Sequence, residues 1–207
     1  MKDRIPHIIA LKGFSNSGKT TSLESVVKFL TSQDKKVAVI KHIHQDNFTI
    51  DQKGKDTWKM RNAGGDPIVS YSNDEIAFLT NHKLDMENTL GILASIRPDL
   101  DYVFLEGFWE NSYPKILFIK NLEELENLIE EILHSPMGNN YLQSTFCLSG
   151  TYFVSGSYHK KAMMEKFDGL VESGILPKPL KKHIASLPIL NIKDHPEKFL
   201  KIFQSLS

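Results

Sequence analysis

Apolar residues along the 207-residue chain fall into short runs separated by helical stripes, and the two alternate from the first residues onward. Ile8-Ile9-Ala10-Leu11 is a brief unbroken apolar run, the pattern of a strand buried on both faces. Leu23, Val26, Val27 and Leu30 then recur at i, i+3, i+4 and i+7, one face of a helix. Lys36 to Lys41 (Lys-Val-Ala-Val-Ile-Lys) predicts a second, β-branched strand. Residues 45 to 62 are polar and rich in turn formers, and no apolar period predicts an element there. Ile68–Tyr71 and Ile76–Leu79 predict two strands joined tightly through Asn73-Asp74. Asp85 opens a helix carrying Met86, Leu90, Leu93 and Ile96, stopped by Pro98. Tyr102-Val103-Phe104-Leu105 predicts a central parallel strand, and Lys115–Ile119 another. Asn121-x-x-Glu124 reads as a capping box before a helix bearing Leu122, Leu125, Leu128, Ile129, Ile132 and Leu133. Pro188–Ile192 predicts a last strand, and Asp194-x-x-Glu197 the cap of a last helix with Phe199, Leu200 and Phe203 inward. Strands alternating with helices in this way predict an α/β fold with a mostly parallel sheet flanked by helices.

Residues 135 to 187 fit the alternation badly. They carry Pro136, Gly138, Gly150, Gly156, Gly169, Gly174, Pro177 and Pro179, with one strand candidate, Thr145-Phe146-Cys147-Leu148. Met163, Met164, Phe167 and Leu170 suit a short helix. Six lysines against three acids between 160 and 182 make the stretch mildly basic, the composition of a solvated face. The expected organisation is a nucleotide-binding domain over 1–134, an insertion of unassigned role over 135–187, and a final strand and helix over 188–207 that complete the same domain.

Between the first strand and helix lies Gly13-Phe14-Ser15-Asn16-Ser17-Gly18-Lys19-Thr20, a complete G-x-x-x-x-G-K-T loop. Glycines let backbone N–H groups converge on the α- and β-phosphates, a lysine reaches the β- and γ-phosphates, and a threonine hydroxyl is left for Mg²⁺. The helix behind the loop adds its positive end. Strand, loop and helix occur in the required order, so the chain is expected to bind a nucleoside triphosphate through Gly13, Ser15, Asn16, Ser17, Gly18, Lys19, Thr20 and Thr21. Such a loop works with an acid on a neighbouring strand. Asp101 and Glu106 bracket one strand and lie roughly 16 Å apart along it at about 3.3 Å per residue. Ligands of open α/β sheets sit at the carboxyl ends of strands, which selects Glu106 and leaves Asp101 as a turn acid at the strand start. The same rule brings Lys41, His42 and His44 beside the loop. Asp56 and Thr57 follow Gly54-Lys55 in a loop of the kind that closes over Mg²⁺ and a γ-phosphate. Arg61 is a candidate cis arginine for the phosphates, with a surface arginine the default reading. His42, His44 and Asp46 alternate without a further fixed ligand, which does not make a zinc site.

Charge and composition narrow the setting. Lys plus Arg and Asp plus Glu are 25 each, so no basic excess argues for nucleic acid. Hydrophobic content is 41% and charged content 24%, an ordinary soluble composition. The single cysteine, Cys147, allows no internal disulfide and fits a reducing compartment. Met1 to Pro6 lacks a signal-peptide core, and no apolar run is long enough to span a bilayer. A cytoplasmic protein is expected.

Several motifs together resemble the molybdopterin-guanine dinucleotide biosynthesis adapter protein family, MobB. They are Gly13–Thr21, Val39-Ile40-Lys41-His42-Ile43-His44, Asp51-Gln52-Lys53-Gly54-Lys55-Asp56-Thr57-Trp58, Arg61-Asn62-Ala63-Gly64 and Phe104-Leu105-Glu106-Gly107-Phe108, covering residues 5 to 133 and the last strand and helix. The resemblance implies a P-loop fold binding GTP and Mg²⁺, with weak GTPase activity at most. It implies a homodimer that assists a molybdopterin guanylyltransferase in attaching GMP to molybdopterin. Carried over, Gly18, Lys19 and Thr20 hold phosphate and Mg²⁺, Glu106 is the acidic partner and a further Mg²⁺ ligand, and Lys41, His42, Asp56 and Thr57 line the site. Guanine preference rests on the resemblance alone. Asn81-His82-Lys83-Leu84-Asp85 has the letters of the guanine-reading Asn-Lys-x-Asp motif at the wrong spacing, and Lys120-Asn121 has the lysine without the acid. Two other readings compete. A small-molecule kinase would need lid arginines, and Arg4, Arg61 and Arg97 are all the chain has; a GTP-driven metal-delivery protein would need a soft-ligand cluster.

Overall fold

The computed structural model describes residues 5–108, 112–135, 138–153 and 158–205. Arg4, Pro136 and Gly156, named above, lie outside them. The chain divides into two units: residues up to His42 together with Asp99 onward, and Ile43–Pro98.

The first unit is built on five strands: β1 (His7–Lys12), β2 (Val37–Lys41), β5 (Tyr102–Glu106), β6 (Lys115–Phe118) and β7 (Thr145–Ser149). All pair in parallel, in the order β2-β5-β1-β6-β7. β5 and β6 are buried at every position, as their unbroken apolar sequences demand of strands covered on both sides. On one face α1 (Lys19–Thr31) and α8 (Pro196–Gln204) pack over Ile9, Leu11, Phe104, Ile116 and Phe118, with Phe199 and Phe203 against the sheet aromatics. On the other, α4 (Leu122–His134), α6 (Tyr158–Glu172) and α7 (Lys178–Ser186) cover Leu117, Ile119 and Leu148, with Leu142 of α5 (Gly138–Gln143). β6 shows the division residue by residue: Ile116 and Phe118 face one layer and Leu117 the other.

The second unit holds α2 (Asp56–Asn62), the antiparallel pair β3 (Ile68–Tyr71) and β4 (Ile76–Leu79), and α3 (Met86–Ile96). Ser72 closes the hairpin, its Oγ donating to the Glu75 carbonyl and accepting from the Glu75 amide. Asp85 caps α3, accepting from the Asn88 amide at 2.7 Å.

Four expectations change. Asp56 and Thr57 do not sit in a loop: they form the first turn of α2, a helix without apolar period. Thr57 Oγ1 donates to Asp51 Oδ1 at 2.8 Å, and Arg61 reaches Asp51 at 3.7 Å and Thr49 Oγ1 at 3.2 Å. Polar side-chain contacts hold this helix, and periodicity cannot register them. Pro188–Ile192 is not a strand but a single bridge, Ile189 beside Leu148, because Pro188 has no N–H and the chain turns at Asn191. Asp194 does not cap the last helix. Its carboxylate takes Asn191 Nδ2 at 2.8 Å, and His195 precedes Pro196, which starts α8 without needing a donor. The box at Asn121 is half made: Asn121 caps the Glu124 amide at 2.8 Å, while the Glu124 carboxylate pairs with Lys120 at 2.7 Å. The stretch left outside the alternation supplies β7, α5, α6 and α7, whose Met163, Phe167, Leu170, Leu180 and Ile184 belong to the core of the first unit.

Candidate nucleotide site

β1 delivers the chain to Gly13 at φ 153°, where a Cβ would stand 2.4 Å from the Phe118 carbonyl oxygen. Only glycine passes β6 that closely. Asn16 adopts the left-handed region at φ 62°, which its short polar side chain tolerates, and Gly18 leads into α1 at φ 91°. The loop thus wraps over the carboxyl ends of β1 and β6 before the helix starts. Lys19 Nζ lies inside it, donating to the carbonyls of Gly13 (2.8 Å) and Phe14 (2.6 Å), with Ser17 Oγ 3.4 Å away. Ser17 is buried, and Ser15 and Asn16 stand exposed on the rim. Burial lowers the Lys19 ammonium below its ordinary range; Glu106 pulls it back up, Lys41 presses it down, and Glu124 raises it.

β5 brings Glu106 to the same end of the sheet, paired in register with Leu11 on one side and Lys41 on the other. Its side chain is buried, and its Oε1 accepts the Thr20 hydroxyl at 2.6 Å. Lys41 Nζ stands 3.4 Å from both Glu106 Oε1 and Thr20 Oγ1. The His42 amide donates to the Glu106 carbonyl at 2.8 Å, and its ring lies 5.3 Å from that of Phe108. Asp101 closes the other end of β5, accepting the Lys36 amide at 2.8 Å with Lys35 at 4.0 Å. The carboxyl-end rule therefore separates the two acids as their chemistry requires.

Lys19, Thr20, Lys41, His42 and Glu106 come together in the first unit. Asp56, Thr57 and His44 belong to the second, where Asp56 is exposed beside Lys59 and Thr57 is spent on Asp51. Thr20 Oγ1 and Glu106 Oε1 are hard oxygen donors at hydrogen-bond distance, a fit for a small divalent cation such as Mg²⁺. Among the described residues, no three His, Cys, Asp or Glu side chains cluster as a metal site.

Sequence reasoning missed the far wall. Beyond β7, Gly150 turns at φ 120°, where a Cβ would sit 2.3 Å from the Ile119 carbonyl oxygen, and the Thr151 amide donates to Ser17 O at 3.1 Å. This turn is latched to the phosphate loop, and Thr151 borders the same cleft as Asn16, Gly18, Lys19, Thr20 and Thr21. Applying the carboxyl-end rule to Thr145–Leu148 as well would have found it.

The motifs, the topology and this loop geometry agree with a comparison of sequences. Residues 8–134 match the family described as molybdopterin guanine dinucleotide synthesis protein B, MobB. The chain belongs to this family. A Methanocaldococcus jannaschii relative is 37% identical over 134 residues, covering 63% of this chain and 53% of its own length. The chain thus spans about half the length of that relative. The molybdopterin-guanine dinucleotide biosynthesis adapter protein of Haemophilus influenzae is 34% identical over 134 residues, covering 64% of this chain and 72% of that protein. The crystal structure of Bacillus subtilis MobB superposes with a TM-score of 0.61 at 19% identity, covering 98% of this chain and 96% of that one. That likeness concerns the fold. Among the described residues no helix is long and apolar enough to cross a membrane.

Proposed function

We propose that the chain is a GTP-binding adapter of molybdopterin guanine dinucleotide formation, assisting a guanylyltransferase that attaches GMP to molybdopterin. The observation that carries the nucleotide part is the 2.6 Å contact of Thr20 with Glu106, made beside Lys19 in a complete phosphate loop. The pathway part rests on family membership and on the name of the Haemophilus influenzae relative.

The residues divide the work. Lys19 exchanges the carbonyls of Gly13 and Phe14 for phosphate oxygens, trading neutral acceptors for charged ones. Thr20 and Glu106 would hold Mg²⁺, which would neutralise triphosphate charge. Lys41 adds a second cation 3.4 Å from the same carboxylate. Hydrolysis is slow in this account, and Arg61 is engaged by Asp51 and Thr49 within its own unit.

The partner in assembly is a second copy of the chain. In the β3–β4 hairpin, register sets Val69 opposite Phe78 and Tyr71 opposite Ile76 on one face, 48%, 61%, 78% and 48% exposed. A contiguous apolar face of this kind marks an interaction surface. The test is a guanylyltransferase assay with and without the chain, alongside titrations of GTP and ATP with Mg²⁺. The adapter reading expects product formation to rise, GTP to bind more tightly than ATP, and turnover by the chain alone to stay near zero. ATP preference with phosphoryl transfer to a small acceptor would replace it with the kinase reading.

A further inference from the structure

The phosphate cleft does not end at Thr151. Through Gly18, Thr21 and Thr151 it continues into a second cleft whose remaining wall is Ser22, Ser149, Gly150, Asn191 and Lys193. The wall is fixed. Thr151 is bonded to the phosphate loop, and the Leu190 amide to Leu148 O at 2.9 Å, so the segment carrying Asn191 and Lys193 follows β7. The cleft opens at the carboxyl end of β7 and adjoins the cleft that Lys19 and Thr20 line.

The chemistry of that wall is unusual for a guanine reader. Among the described residues lining it there is no carboxylate to accept N1–H and the 2-amino group. Asn191 is already engaged on both atoms, donating to Asp194 Oδ2 at 2.8 Å and accepting the Asp194 amide at 3.3 Å. Lys193 is exposed and, among the described residues, makes no hydrogen bond or ion pair. An ammonium only donates, so it suits a base edge that only accepts. Guanine and hypoxanthine present O6 and N7 as acceptors, whereas adenine places a 6-amino donor beside N7.

We propose that this cleft is the base subsite and that Lys193 selects a 6-oxopurine through O6 and N7, leaving the 2-amino group unread. This rests on the nucleotide reading above. The test measures dissociation constants of the Mg²⁺ complexes of GTP, ITP and ATP for the intact chain and for Lys193→Met. GTP and ITP should agree within about threefold and ATP should bind roughly tenfold more weakly. Lys193→Met should erase the difference while leaving ATP affinity within about twofold, since the phosphate side is untouched. ITP binding tenfold worse than GTP would overturn the proposal, as would a Lys193→Met variant that keeps its preference. In either case nucleotide binding would still stand; failure of all three nucleotides to bind would remove the nucleotide reading itself.

Discussion

The two units spend the same kind of apolar sequence in opposite ways. In the first, β5, β6 and β7 are buried at every position, and layers of helices close over both faces of the sheet. In the second, no residue from 43 to 98 is buried, although the Asp51 side chain itself is nearly closed off. Four of its apolar residues, Phe78, Tyr71, Met60 and Ile50, are 61% to 78% exposed. The first unit is complete by itself and carries the phosphate loop. The second, at 56 residues, has too little burial to offset the cost of ordering its chain, so its apolar face calls for a cover.

Substitution separates them most sharply. Phe104→Ala, within the closed core, should cost about 3–5 kcal/mol by denaturant unfolding. The same loss of an aromatic at Phe78 should change the stability of the isolated chain by only about 0.5 kcal/mol or less, and instead convert dimer to monomer in light scattering. A core-sized loss of stability at Phe78 in a monomer would show that the hairpin face is already covered.

Asp51→Ala tests what holds the open unit. It removes the acceptor of Thr57 and the partner of Arg61, a loss of about 1–3 kcal/mol. The effect should be confined to the second unit, with faster hydrogen exchange at the amides of α2 and unchanged protection in β1 and β5. Uniformly faster exchange would mean that the units unfold together.

A further effect is one of pH, and it belongs to the closed unit. Burial pushes Lys12 down to about 6 and Lys115 to about 8, from an ordinary 10.5; for Lys12, Glu131 acts in the opposite sense. The unfolded chain therefore binds more protons than the folded one between those values and 10.5. Stability should rise with pH across that window, and the whole contribution is lost below about pH 6. Lys115→Met should flatten the part of the melting-temperature profile above pH 8. An unchanged profile would mean that Lys115 keeps its charge, served by the Tyr113 carbonyl and the Ser144 hydroxyl.

What could be read from the chain follows the same division. Continuous apolar runs and 3.6-residue stripes located β1, β5, β6, α1 and α4, because burial selects for them directly. The strand-end rule chose Glu106 over Asp101 before any coordinates did, since it depends only on chain direction. The α2 helix was illegible, because Asp51, Thr57 and Arg61 hold it through spacing that no hydrophobic period records. The helices after residue 135 were obscured by scattered glycines and prolines, although Met163, Phe167 and Leu170 carried the right stripe. The wall at Ser149–Thr151 and Lys193 was missed because two distant segments build it and only the sheet order brings them together.

The most direct measurement is calorimetric titration of the intact chain with GTP in the presence and absence of Mg²⁺, repeated on Lys19→Ala. The account predicts one site per chain, tighter with Mg²⁺, and roughly 10- to 150-fold weaker in the variant with its circular dichroism unchanged, the value of a charged hydrogen bond. Equal affinity in Lys19→Ala, or binding indifferent to Mg²⁺, would contradict it.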